Sequence, residues 1–377
     1  MEGNEIFLGH GYSRLGNSIL QAENGGTMRS SPTPKDGRRQ CLASFFALSI
    51  LVLSAPLLAS SPEGSFTTFD VPGASYAFPL SMNEEGSITG YYYGAGGYHG
   101  FARDRYGNVT TFDVAGAVFI SPNSINEEGT IVGSFFTETN GFYQPRRGFV
   151  RNKRGTITTL DGPSGPPGTT ANSINEDGVI VGTTGWQDAF VLRKGGTFTI
   201  IDVPDATGTV AVSINAKGAI AGNYTDASGI LHGFVRDASG TISRFDIPGG
   251  GIAISGSGAG VVSINDWGAI AGMYLDENFQ FHGFARDAQG TISTFDAAQY
   301  ATTFVHGLNN EGTIVGYYYG VGGYHGFVRN QRGNITTFDV PGGLSGSTQA
   351  LSINDEGDVA GNYEDTNFAT HCFVWRR

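Results

Sequence analysis

The stretch Ser263–Tyr274, SINDWGAIAGMY, has six relatives in the same chain. They are SMNEEGSITGYY from Ser81, SINEEGTIVGSF from Ser124, SINEDGVIVGTT from Ser173, SINAKGAIAGNY from Ser213, GLNNEGTIVGYY from Gly307 and SINDEGDVAGNY from Ser352. Their asparagines, Asn83, Asn126, Asn175, Asn215, Asn265, Asn309 and Asn354, are 43, 49, 40, 50, 44 and 45 residues apart. A period of this length belongs to propeller blades, not to leucine-rich or short helical repeats.

Two shorter phrases travel with each copy. One ends in Asp after a strand-like run, as in FTTFD from Phe66, ITTLD from Ile157 and ITTFD from Ile335. The other is built on Phe, as in HGFAR from His99, RGFVR from Arg147, DAFVL from Asp188 and HCFVW from His371. Together they make four short segments per period, rich in β-branched and aromatic residues and bounded by turn residues, which reads as four strands. N-x-x-G joins the first two strands and (D/N)-x-x-G joins most of the last two, with glycine supplying the positive φ at the end of a four-residue loop.

Because the second turn ties each HGF strand to the FD strand after it, a blade runs SIN, IxGxY, HGF, FD. In that frame the array starts on a spare FD strand at Phe66 and ends on an HGF strand at His371 that lacks one. The expected fold is therefore all-β, a seven-bladed β-propeller of four-stranded blades, closed by pairing the N-terminal FTTFD strand with the last blade. Closure of this kind removes exposed sheet edges. An open β-solenoid is the alternative, and it requires capping units that the sequence lacks.

The 59 glycines among 377 residues agree with so many turns, and the net charge is -12. Residues 1–60 carry five basic and four acidic side chains, so the acidity belongs to residues 61–377. No basic patch exists to neutralise phosphates, so nucleic acid is not an expected partner. Only Cys41 and Cys372 are present, which leaves no disulfide framework.

Lys35, Arg38 and Arg39 precede an apolar run at residues 41–60 that ends in small residues, the pattern of an export signal. Residues 1–60 are read as an N-terminal extension with a signal peptide, with Met28 a more natural start. The protein is then secreted, on the cell surface or periplasmic. The alternative is a membrane tether at residues 41–60, whose length is near the lower limit for a bilayer span.

The HGF and SINxxGxIxGxY phrases, recurring in register, resemble the HAF-repeat family of extracellular bacterial repeat proteins. The resemblance covers nearly all of the chain after the signal segment and implies an exported repeat protein. It brings no catalytic residues with it. Departures are Arg147 in the second unit and Asp188 with Ala189 in the third, where His or His-Gly stands elsewhere.

Five histidines, His99, His232, His282, His325 and His371, hold equivalent positions, one per blade, and so diverge around a ring. Metal ligands must converge, so the expected role is a scaffold bond to the Ser of SIN or the Asp of the FD strand, and neither a metal nor a cofactor is called for. The glycine of IxGxY is expected where another backbone comes close. Acids at Glu138, Asp226, Asp276 and Asp365 are read as turn residues.

The uniform turns share one face of a propeller, and the other two loop classes share the opposite face. These vary: 162–172 has three prolines, 249–260 is glycine-rich, 137–146 is long, and YYYGAGGY from Tyr91 and YYYGVGGY from Tyr317 carry tyrosines. Variable loops on a rigid scaffold are where binding is placed. The ligand-binding candidates are Tyr93, Tyr98, Trp186, Tyr319 and Tyr324; no catalytic residue is assigned. The expected role is a non-enzymatic binding module or scaffold for an extracellular polysaccharide or surface protein. The alternatives are a glycan-acting hydrolase or lyase and a purely structural matrix component.

Overall fold

A computed structural model describes residues 64–162, 168–185, 188–247 and 260–376. The segment read as an export signal, Trp186 and most of the 249–260 loop lie outside the described residues, as does the proline-bearing part of the 162–172 loop. Every regular element that is described is a strand.

Blade 1 consists of β2 (Ala74–Met82), β3 (Ile88–Gly94), β4 (Gly97–Arg103) and β5 (Val109–Phe112). Blade 2 has β6 (Ala117–Ile125), β7 (Ile131–Thr139), β9 (Arg147–Arg151) and β10 (Ile157–Leu160), with the two-residue β8 (Phe142–Tyr143) hairpinned onto β7. Blade 3 is β11 (Thr169–Ile174), β12 (Ile180–Thr184), β13 (Asp188–Arg193) and β14 (Thr197–Ile201). Blade 4 is β15 (Gly208–Ile214), β16 (Ile220–Thr225), β17 (Leu231–Arg236) and β18 (Ile242–Asp246). Blade 5 is β19 (Gly260–Ile264), β20 (Ile270–Leu275), β21 (Phe281–Arg286) and β22 (Ile292–Phe295). Blade 6 is β23 (Thr302–Leu308), β24 (Ile314–Gly320), β25 (Gly323–Arg329) and β26 (Ile335–Phe338).

The seventh blade is composite. Its β27 (Gln349–Ile353), β28 (Val359–Glu364) and β29 (Thr370–Arg376) are completed by β1 (Ser65–Phe69), antiparallel to β29 with Ser65 opposite Arg376 and Phe69 opposite Cys372. The seven-bladed propeller is thus the observed fold, and the spare strand sits where the blade frame required it.

The SIN strands β2, β6, β11, β15, β19, β23 and β27 are innermost, each touching its counterparts in the adjacent blades. The phenylalanine of each HGF strand, Phe101, Phe149, Phe190, Phe234, Phe284, Phe327 and Phe373, is completely buried. It fills the wedge between its own blade and the preceding one: Phe234 packs with Val181, Val191 and Ile201 of blade 3, and Phe373 with Val315 and Val328 of blade 6. Truncating a side chain of this kind costs about 3–5 kcal/mol. On the outer side, arginines at the ends of the HGF strands lie over FD phenylalanines of the blade before, as with Arg151 over Phe112 at 4.7 Å and Arg329 over Phe295 at 4.8 Å.

The IxGxY glycine does meet a backbone, but that of its own blade. A Cβ on Gly222 would collide with the Val210 carbonyl oxygen and with the Phe234 ring. The reason is a bulge: in blade 4 the β15–β16 register shifts between Ala211 and Ser213, and the same shift precedes the SIN phrase in every blade.

Each axial asparagine but Asn354 has two partners. Its Oδ1 accepts the backbone N–H four residues on, closing its own turn, as Asn215 does from Ala219 at 2.8 Å. Its Nδ2 donates to the backbone carbonyl of the next blade's asparagine: Asn83 to Asn126, Asn126 to Asn175, Asn175 to Asn215, Asn215 to Asn265, Asn265 to Asn309 and Asn309 to Asn354, at 2.8–3.3 Å. The seventh link is missing. Asn354 Nδ2 is buried without a partner, and the seam is held by Met82 N–H to Ser352 Oγ at 3.0 Å, Asp355 N–H to Glu84 Oε2 at 2.6 Å and Asn362 Nδ2 to the Ala77 carbonyl at 3.2 Å.

This asymmetry can be measured. Asn215→Ala removes a turn bond and an inter-blade bond and should lower unfolding free energy by about 2–4 kcal/mol in urea, whereas Asn354→Ala loses only the turn bond and should cost about half as much. Equal costs would mean that the amide ring does not join the blades.

Candidate functional site

Antiparallel order puts the N-x-x-G and (D/N)-x-x-G hairpins on one face and the loops between second and third strands on the other, together with the connections between blades. On that variable face the hairpin of blade 1 sets Tyr93 directly opposite Tyr98, with ring centroids 5.2 Å apart. Tyr76 from the inner strand stacks on Tyr93 at 5.4 Å, and its hydroxyl is 3.2 Å from that of Tyr98. Tyr98 then meets Phe119 at 4.9 Å, Phe119 stacks on Phe136 at 5.2 Å, and Phe136 meets Tyr143 at 5.1 Å. The result is an unbroken aromatic run from blade 1 into blade 2.

Blade 6 repeats the device. Tyr319 faces Tyr324 across its hairpin at 5.2 Å; Tyr324 touches Tyr317, Tyr317 touches Phe304, and Phe304 reaches Phe281 of blade 5. Burial pushes the phenols of Tyr91 and Tyr317 far up, and the charge of Tyr317 adds to the shift of Tyr91. The two runs stand on the blades to either side of the composite blade 7.

Of the candidates, Tyr93 (40%) and Tyr319 (54%) are exposed to solvent. Tyr98 and Tyr324 are half-buried and support them. Trp186 lies outside the described residues. Tyr76, Phe119, Phe136, Tyr143 and Phe304 were not singled out in the sequence, although Tyr76 and Phe304 sit at alternating positions of inner strands, a signal that was there to read. The 137–146 loop is a hairpin, with Glu138 opposite Tyr143 in the β7–β8 pair. The hairpin tips Gly94–Gly97 and Gly320–Gly323 contain no carboxylate.

The histidines are clasps. Nδ1 of His99, His232, His282, His325 and His371 contacts Asp113, Asp246, Asp296, Asp339 and Asp70 respectively at 2.6–2.9 Å, so the FD aspartate is the partner in all five blades and the SIN serine in none. Nε2 faces a second acceptor in the loop above: the carbonyls of Ala95 and Val321 in blades 1 and 6, and Asp226, Asp276 and Asp365 in blades 4, 5 and 7. Each ring also packs against a tyrosine, as His232 does on Tyr224 at 4.9 Å. In blade 2 Arg147 takes over, with Nε and Nη2 forked onto Asp161 at 2.9 and 2.8 Å. The clasps tie variable loops to the frame. No group of three or more His, Cys, Asp or Glu side chains among the described residues is arranged to hold a metal.

On the opposite face the residue after each axial asparagine forms a second ring. Carboxylates of Glu127, Glu176, Asp266, Asp355 and Glu84, and the amide of Asn310, each accept the backbone N–H of the preceding blade at 2.6–2.8 Å, with a break where Ala216 replaces an acid. Crowded acids in a partly buried ring are costly to ionise. Burial first, then the charges of Asp355, Glu127 and Glu176, push the carboxyl of Glu84 up to about 7, against the pull of its bond from Asp355.

No known family profile matches the chain, and no curated protein matches it in sequence. Solved structures do match in fold. Virginiamycin B lyase from Staphylococcus aureus aligns over 84% of this chain and 100% of its own, at 14% identity and a TM-score of 0.53. The β-propeller domain of the Trilobed protease from Pyrococcus furiosus, described as having an open velcro topology, aligns over 80% and 95% at 9% identity and a TM-score of 0.53. Identity at this level speaks for the propeller fold alone.

The acid ring carries a pH signature. Glu84 has a raised value in the folded state, so its protonation favours folding: its contribution is full below the ordinary carboxylate range and is lost as pH rises through about 7. Glu84→Gln keeps an acceptor for Asp355 N–H, and its melting temperature should decline less than the parent's over that interval. Parallel curves would remove Glu84 as the source.

Proposed function

We propose that this chain is an exported, non-enzymatic binding module of HAF-repeat type, whose variable face takes an extracellular glycan. The carrying observation is the pair of aromatic runs on blades 1–2 and 5–6, in which Tyr93 and Tyr319 are exposed to solvent. Flat apolar rings with hydroxyl tips suit the alternating CH and OH faces of sugars. Export is supported by the basic and apolar sequence of residues 35–60. A binding role is favoured over hydrolysis because glycoside cleavage in most families needs a carboxyl pair across the scissile bond, whereas the two tyrosine hairpin tips carry no carboxylate and the β7–β8 hairpin sets one, Glu138, opposite Tyr143.

The test is a glycan array with the purified protein, alongside Tyr93→Ala and Tyr319→Ala. Each substitution should weaken binding about tenfold, about 1.4 kcal/mol, with no sugar released. Released products would make the chain a glycan-acting enzyme. Absence of binding to any glycan would redirect the search to a surface protein.

A further inference from the structure

The turns at the tips of blades 4, 5 and 7 on the variable face are built alike. In each, an aspartate N–H donates to the carbonyl four residues on and its carboxylate accepts N–H groups two and four residues on, in Asp226–Ile230, Asp276–Gln280 and Asp365–Ala369. The fourth residue has a left-handed backbone. In blade 4 it is Gly229, with φ 79°, which is what that conformation favours. In blades 5 and 7 it is Phe279, φ 62°, and Phe368, φ 64°.

An L side chain is strained there, and phenylalanine is among the less suited. Nor does packing repay the strain, since Phe279 is 69% exposed and Phe368 73%. Tyr300, in the connection between blades 5 and 6, is a third left-handed aromatic, φ 59° and 87% exposed, and its carbonyl accepts from Gln280 Nε2 at 3.2 Å. Strain kept without a folding gain points to a use outside the fold.

The surroundings say what that use suits. Phe279 is two residues from Phe281, the outer end of the run Phe281–Phe304–Tyr317, and lies on the same variable face. The variable loops of blades 5 to 7 contain Asp276, Glu277, Asp296, Asp339, Glu364 and Asp365 and neither lysine nor arginine; four of these acids are engaged by the clasp histidines His282, His325 and His371, and Glu277 and Glu364 stand outside those pairs. Backbone N–H groups hold the carboxyls of Asp276 and Asp365 below the usual range, so both stay ionised in mild acid. Anionic polymers are repelled by such a surface, whereas ammonium groups are attracted. Single rings on separate tips, divided by polar turns, fit successive sugars better than one apolar protein patch.

The geometry points to a cation-selective extension of the glycan site on blades 5–7, where Phe279, Tyr300 and Phe368 stack on successive sugars of a polymer bearing free amines and the neighbouring carboxylates hold its ammonium groups. It rests on the glycan reading above and narrows the ligand class.

Oligomers of glucosamine, of N-acetylglucosamine and of galacturonic acid, titrated in mild acid, test it. The free-amine oligomer should bind at least tenfold more tightly than its acetylated counterpart, the uronate not at all, and added salt should erase the difference. Phe279→Gly with Phe368→Gly should keep the melting temperature, because Gly229 already serves the same turn, and should lose the amine preference; Glu277→Gln with Glu364→Gln should reduce it. Equal affinity for free and acetylated oligomers, full binding by the double-glycine variant, or a fall in its melting temperature would overturn the extension while leaving the tyrosine site standing. Tyr93→Ala with Tyr319→Ala binding every oligomer as the parent does would overturn the tyrosine site instead.

Discussion

A single side chain repeated seven times, the asparagine of SIN, sets the geometry of this molecule. It must hold its own turn through Oδ1 and reach the next blade through Nδ2, and only a short amide offers an acceptor and a donor in that arrangement. Six of the seven links are made. Because the acceptor is a backbone carbonyl, the link fixes the position of one inner strand against the next irrespective of what else the blades contain. The wedge phenylalanines fill the space between the blades that the ring links.

Such an axis leaves the two faces with different freedoms. On the turn face, the residues after the inner strands are tied blade to blade by the ring of asparagines and by the carboxylates and the Asn310 amide that follow them, with breaks at Asn354 and Ala216. The other face is held at the strand ends by histidine–aspartate clasps and by Arg147 in blade 2, and between loops by bonds such as Tyr324 N–H to the Gly346 carbonyl at 2.8 Å. Loops between those anchors change length, sequence and backbone conformation without disturbing the blades. All five left-handed non-glycine residues among the described residues, Asn140, Asp205, Phe279, Tyr300 and Phe368, lie on this face. Strain is tolerated where the frame does not depend on it.

The difference also explains what could be read beforehand. Blade number, strand order and the closing strand were legible because they rest on short-range phrases, N-x-x-G above all, repeated in register. The histidine partners were half legible: the register of HGF against FD favoured the aspartate, and the serine of SIN is occupied elsewhere, accepting N–H groups of the neighbouring blade as Ser173 does from Ile214. Tyr93, Tyr98, Tyr319 and Tyr324 could be found because their hairpins are near copies. The aromatic runs could not, because Phe119 and Phe136 join them through contacts between blades that no local phrase encodes. Phe279 and Phe368 escaped for another reason: a turn with phenylalanine in the glycine position does not look like a turn.

The two aromatic runs flank the blade at which the asparagine ring is broken. Blade 7 is assembled from both ends of the described array, its Asn354 amide is idle, and β1 is held by sheet bonds to β29, the stacking of Phe66 on Trp375 and the His371–Asp70 clasp. The tyrosine hairpins of blades 1 and 6 stand on either side of it. On the proposed reading, a polymer that engages both hairpins bridges the seam, and its binding energy opposes release of β1 by mass action. The position of the site then has a mechanical consequence: the ligand supplies across the seam a connection of the kind that the missing seventh amide link supplies elsewhere, and the propeller is held most firmly shut when it is occupied.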